Sequence, residues 1–126
     1  MRDLYSNISA ISALSPAVQS AAGQGAAIDT LGAGRLAFVV NTGAIAGSGD
    51  FGVKLQESDT GSSGWTDVAA DKVDSSAPAT LEADSTYRLG YRGWKRYVRL
   101  SLTKAGGTSI AAGAAAIISP NTRPAA

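Results

Sequence analysis

The sequence predicts an all-β protein: a single antiparallel β-sandwich or barrel-like domain with an extended N-terminal arm. Three observations carry that expectation. In Tyr97-Val98-Arg99-Leu100-Ser101-Leu102-Thr103 the apolar residues Val98, Leu100 and Leu102 alternate with Tyr97, Arg99, Ser101 and Thr103. That period of two marks a strand with one face on a core and one face wet. Other β-branched or alternating runs recur along the chain, separated by Gly- and Ser-rich turns. No segment carries a convincing helical stripe free of helix breakers. Eight or so short strands of this kind point to a sandwich or barrel, and no solenoid repeat is visible.

Residues 1–26 are read as the arm. The spacing Ile8, Ile11, Leu14, Val18 fits a helix, but Pro16 falls inside it and serines are frequent, which favours an extended chain. Its few apolar anchors are too sparse for a core of their own, so the arm is expected to pack on the body or on a neighbour. The body spans 27–119. It opens with a short strand at 27–31, a turn at Gly32-Ala33-Gly34, and a central strand at 35–41 rich in β-branched and aromatic residues. A loop of small residues is expected at 43–49. Phe51, Val53 and Leu55 alternate with Gly52, Lys54 and Gln56 in the next strand, and 65–69 reads as the return strand of a hairpin. Residues 71–84 read as loop, and 86–90 lead into the alternating stretch.

Residues 108–119 are mostly alanine, which favours helix intrinsically. The Gly106-Gly107 pair directly after a strand favours a hairpin instead, and Gly113 would interrupt a helix of about three turns. The segment is assigned as a strand. Pro120 and Pro124 then define a tail at 120–126.

At 126 residues and 12.7 kDa the chain holds one core, large enough to fold without metal or disulfide. It has no cysteine and no histidine. That removes thiolate chemistry, the commonest general base and the commonest transition-metal ligand. The acids in 50–84 lie in turn-rich sequence, where they act as turn formers or solvated charges. No spacing matches a catalytic constellation, so no enzyme, cofactor or metal is expected. Asp59 to Asp67 looks faintly like a calcium loop but lacks the alternating acids and closing glutamate. No secretory signal is read at the N-terminus, and the near-apolar run 110–118 is half the length that crosses a bilayer.

The net charge of +1 conceals a polarised chain. Residues 50–84 hold eight acids and two bases, and residues 85–126 hold seven bases and no acid. The simplest account is pairing of these segments within the fold or between neighbouring subunits. Arg88, Arg92, Lys95, Arg96 and Arg99 are interleaved with Tyr87, Tyr91, Trp94 and Tyr97. That pattern suits a protein–protein hot spot and equally a single-stranded nucleic-acid groove, although the near-neutral total argues against nucleic acid. Trp65 and Trp94 also raise a sugar-stacking module.

Gly90-Tyr91, Gly93 and Lys95-Arg96-Tyr97-Val98-Arg99-Leu100 form a pattern that resembles small structural proteins of tailed bacteriophages and prophages. Phe38-Val39-Val40-Asn41-Thr42-Gly43, Leu55-Gln56-Glu57-Ser58-Asp59 and Gly64-Trp65-Thr66-Asp67-Val68 add to it, so that about residues 28–117 are covered. The resemblance implies a virion component assembled in the bacterial cytoplasm, a decoration or cement protein on the capsid surface. The expected partners are the major capsid protein and copies of the chain itself, in a homo-oligomer. The expected contact residues are Leu4, Tyr5 and Ile8 on the arm, and Arg88, Arg92, Trp94, Lys95, Arg96 and Arg99 on the basic face. Removing residues 1–12 should then weaken capsid binding and leave the melting temperature nearly unchanged. A head–tail connector or tail component is the alternative within the class, and a carbohydrate-binding module the alternative outside it.

Overall fold

The computed structural model describes residues 5–30 and 33–120. Leu4, Leu31, Gly32 and the tail residues 121–126 lie outside them. Among the described residues ten strands form two antiparallel sheets. Sheet 1 contains β1 (Ser9–Gln19), β10 (Ser109–Pro120), β4 (Ala33–Ala46), β8 (Thr86–Tyr91) and β7 (Val73–Ser75), in that order. Sheet 2 contains β2 (Gly23–Gln24), β9 (Tyr97–Gly106), β5 (Asp50–Ser58) and β6 (Thr66–Asp67), with β3 (Ile28–Asp29) also paired to β9. Among the described residues no helix is long and apolar enough to cross a membrane.

One buried cluster draws on both sheets. Ala13, Leu36, Phe38, Val40, Leu89 and Ala116 come from sheet 1, and Ile28, Leu55, Val98 and Leu100 from sheet 2. A second cluster gathers Phe51, Leu81, Leu102, Ile110 and Ala112. Leu81 reaches it from an irregular loop because its N–H donates to the Phe51 carbonyl at 2.8 Å. Burying a leucine or phenylalanine in this way contributes about 1.5–3 kcal/mol each.

The alternation at 97–103 is realised in β9, with Val98, Leu100 and Leu102 buried. The alanine-rich segment is a strand because it occupies the second position in sheet 1. There it is paired on both sides, with β1 and with β4. Two full ladders outweigh alanine's helical preference. It is not the return strand of a hairpin, however. Gly107 (φ 76°) turns the chain out of sheet 2 and into sheet 1, so β9 and β10 are not paired. Gly47 and Ser48, both left-handed (φ 60° and 58°), make the corresponding passage from β4 to β5. A Cβ at Gly107 would meet the Ser48 carbonyl, so the two sheet-crossing turns lie against each other.

Three expectations are corrected. The stretch 71–84 is not all loop, since Val73–Ser75 pairs with β8 as the edge strand β7. The small-residue stretch 43–49 is not a loop: β4 continues to Ala46, held by pairing of Ile45 with Ile110 and Ala46 with Ser109. The strands are also not uniformly short, since β1, β4 and β10 have 11, 14 and 12 residues. The arm is extended, and residues 9–19 are the edge strand of sheet 1. Two register shifts interrupt β1, and Ala13, at the first of them, is fully buried in the core. The chain then crosses to sheet 2, where Ala26 N–H donates to Ala13 C=O and Gly25 N–H to Leu100 C=O.

Candidate functional site

The basic stretch lies where the chain passes from one sheet to the other. β8 ends at Tyr91 in sheet 1, β9 begins at Tyr97 in sheet 2, and residues 92–96 cross between them. The crossing is built around the Tyr91 side chain. Its ring packs against the main core cluster. Its hydroxyl donates to Glu57 Oε1 at 2.7 Å and accepts the Lys95 N–H at 3.0 Å. Partial burial and the Glu57 carboxylate push the phenol up to about 12. The loop closes so tightly over this ring that a Cβ at Gly93 would land on it.

Carboxylates from elsewhere in the chain hold the rest of the loop. Arg92 pairs with Asp74 at 3.0 Å, and its N–H donates to the Lys72 carbonyl. Lys95 pairs with Asp59 at 2.9 Å, and the Asp59 carboxylate raises the ammonium's pKa. Arg96 binds Asp29 through two bonds of 3.0 and 2.9 Å, which raises the guanidinium's pKa further. Thr30 fixes the same segment, donating from its hydroxyl and its N–H to the Arg96 carbonyl. The two faces of the charge polarity therefore meet inside one chain. These exposed pairs orient the loop more than they stabilise the fold.

Trp94 projects from the clamped loop, 74% exposed, with the Lys72 ammonium 3.5 Å from its ring centroid. Trp65 is half-buried, covered on one face by the Arg99 guanidinium at 4.2 Å, and Arg99 also donates to Gln56. Arg88 stands on the outer surface of sheet 1 and makes no ion pair among the described residues. Asp67 is held below the usual carboxylate range by Gln56 and Lys54.

Sheet register brings the arm to the same end as this loop. Ser9 is opposite Ile118, Ile118 opposite Leu36, and Leu36 opposite Tyr91, so the start of β1 and the end of β8 share one row. Tyr5, 88% exposed in the short 3-10 turn Tyr5–Asn7, and half-buried Ile8 precede that row on one side. Residues 92–96 follow it on the other. The hairpin loop after β5 closes the same end, where the Ser58 hydroxyl accepts N–H groups of Thr60 and Gly61, and Gly61 sits over the Tyr97 ring. Of the predicted contact residues, Tyr5, Ile8, Arg92, Trp94, Lys95 and Arg96 are gathered here. Arg88 and Arg99 lie on the outer surfaces of opposite sheets. Leu4 lies outside the described residues.

The partners Asp29, Glu57, Asp59, Lys72 and Asp74 are not singled out by sequence reasoning. The charge imbalance between segments signals acidic partners in 50–84, as Glu57, Asp59 and Asp74 are, and says nothing of Asp29 or Lys72. Among the described residues no group of three or more acids is placed to hold a metal ion. The chain matches no protein-family model and no curated protein sequence.

Proposed function

We propose that this chain is a non-enzymatic structural protein of a tailed-phage virion, a capsid decoration protein that binds the outer shell across subunit seams as a homo-oligomer. In this reading the two sheets, which share one buried cluster, close as a sandwich, and the end carrying Tyr5 and Trp94 is the contact end. The observation that carries it is the presentation of Trp94. A large aromatic stands in solvent on a loop clamped by Tyr91, Arg92, Lys95 and Arg96. A preorganised aromatic loses little entropy on docking, which is how a small interface gains affinity. Many copies on one lattice add such modest contacts together.

Because Arg92, Lys95 and Arg96 already have carboxylate partners, the attraction is assigned to the aromatics and not to net positive charge. Sugar stacking is a poorer fit, since cations cover one face of each tryptophan. The test is binding of Trp94→Ala to undecorated shells. The variant should fold normally and bind at least about tenfold more weakly, as expected for a hot-spot aromatic. Unchanged shell binding would remove this end from the interface.

A further inference from the structure

The outer surface of sheet 1 is unlike that of sheet 2. Directly opposed residues in antiparallel strands point to the same side. One row across sheet 1 therefore reads Ala10, Ile117, Ala37, Gly90, and the next reads Ser12, Ala115, Val39, Arg88. A further row holds Gly113, Asn41 and Thr86. Across β1, β10 and β4 these rows contain no charge. The outer surface of sheet 2 carries Lys54, Gln56, Asp67 and Arg99 on facing positions. An antiparallel sheet with one wet face ordinarily alternates apolar-in and polar-out. Sheet 2 does so, whereas the β1–β10–β4 face of sheet 1 is small or apolar through its middle, with Asn41 and, near the start of β4, Arg35 as the exceptions.

We infer that this face of sheet 1 binds the same face of a second copy of the chain, in a two-fold dimer. Area is the first argument. Strand spacing of about 4.8 Å and a rise of about 3.4 Å per residue give β1, β10, β4 and β8 a face of roughly 600 Å². Two copies would bury about 1,200 Å², the lower end of the range for specific interfaces. Relief is the second argument. A two-fold interface must carry its own complement on one patch. This face has a hollow of about 390 Å³ over Gly113, bordered by Ser12, Pro16, Val39 and Ala115. It also has a knob, since Val18 is opposite Ala111 on the same side and is 71% exposed. Alanine and glycine lose no rotamer freedom when covered, so the association cost is small. Charge on this face is confined to Arg35 near the start of β4 and Arg88 on β8, so the middle of β1, β10 and β4 can be covered without burying an ion.

The dimer deepens the oligomer part of the proposed function, and its test needs no shell. Sedimentation equilibrium of the wild-type chain should show a monomer–dimer equilibrium with Kd on the order of micromolar. Val18→Glu at the exposed edge and Ala115→Glu at the centre should each weaken it at least about tenfold by burying a charge. Ala105→Glu, an exposed site on β9 of the other sheet, should leave it unchanged. Circular dichroism and melting temperature of each variant establish that it is folded, and Val18→Glu removes no buried group. A wild-type chain that stays monomeric at millimolar concentration overturns the inference, and so does association that persists unchanged in Val18→Glu and Ala115→Glu. Failure to bind shells leaves the dimer standing, and a monomer leaves shell binding standing.

Discussion

The Tyr91 hydroxyl donates to Glu57 Oε1 at 2.7 Å, and this single bond ties the end of β8 in sheet 1 to β5 in sheet 2. The same oxygen accepts the Lys95 N–H, so the loop that presents Trp94 is folded around one phenol. Tyr91→Phe keeps the packed ring and loses both bonds. It should cost about 1–2 kcal/mol, read from urea unfolding, because the Lys95 N–H and the Glu57 carboxylate each lose a partner. Glu57→Gln should cost less, and the double variant should be less than additive, since the residues share one bond.

The same phenol predicts a pH dependence at the alkaline end. In the folded chain its pKa is raised to about 12 from an ordinary 10.0, first by burial and then by Glu57. Between those values the unfolded chain has released the proton that the folded chain keeps. Folding therefore binds a proton there, and stability falls as pH rises through that window, with the full contribution present below pH 10. Denaturation midpoints from pH 9 to about 12 should show a drop that is smaller in Tyr91→Phe. A drop of equal size in both proteins would assign the effect elsewhere.

Gly93 and Gly106 are predicted to respond oppositely to alanine. A Cβ at Gly93 would strike the clamped Tyr91 ring, while one at Gly106 meets nothing within 4 Å. Gly93→Ala should therefore destabilise by about 1–3 kcal/mol, as overpacking does. Gly106→Ala should be neutral or slightly stabilising, because it reduces only the freedom of the unfolded chain. Thermal melts of the two variants side by side check the contrast.

The arm prediction changes once the strand is placed. Residues 9–12 pair with 115–118 of β10, and Ala13 just beyond them is fully buried. Deleting residues 1–19 should lower the melting temperature by on the order of 10 °C, since an edge strand and part of the core go with it. A melting temperature equal to that of the whole chain would show that β1 adds nothing to the stability of the body.

Much of the architecture was legible because it rests on local pattern. The alternation at 97–103 gave β9, and Gly106-Gly107 turned the reading of the alanine segment from helix to strand. What was not legible depends on pairing between distant segments. That β4 continues through Gly43, Ala44, Ile45 and Ala46 follows from opposing residues of β10, which nothing in those small side chains announces. The Gly-Gly turn suggested a hairpin because sequence does not say whether a tight turn stays within a sheet or leaves it. At the candidate site the aromatics and cations were visible as a cluster. Their carboxylate partners were not, because Asp29, Asp59 and Asp74 come from three separate segments joined only by the packing of the sheets. Arg88 and Arg99, close in sequence, end on opposite sheets for the same reason.

The measurement that tests the central claim most directly is co-sedimentation of the wild-type chain with undecorated tailed-phage shells across a salt series. The proposal predicts saturable binding at a fixed copy number per shell. That binding should change little between low and high salt, because three of the loop's cations are already paired within the chain. No saturable binding at any salt concentration would contradict a decoration role.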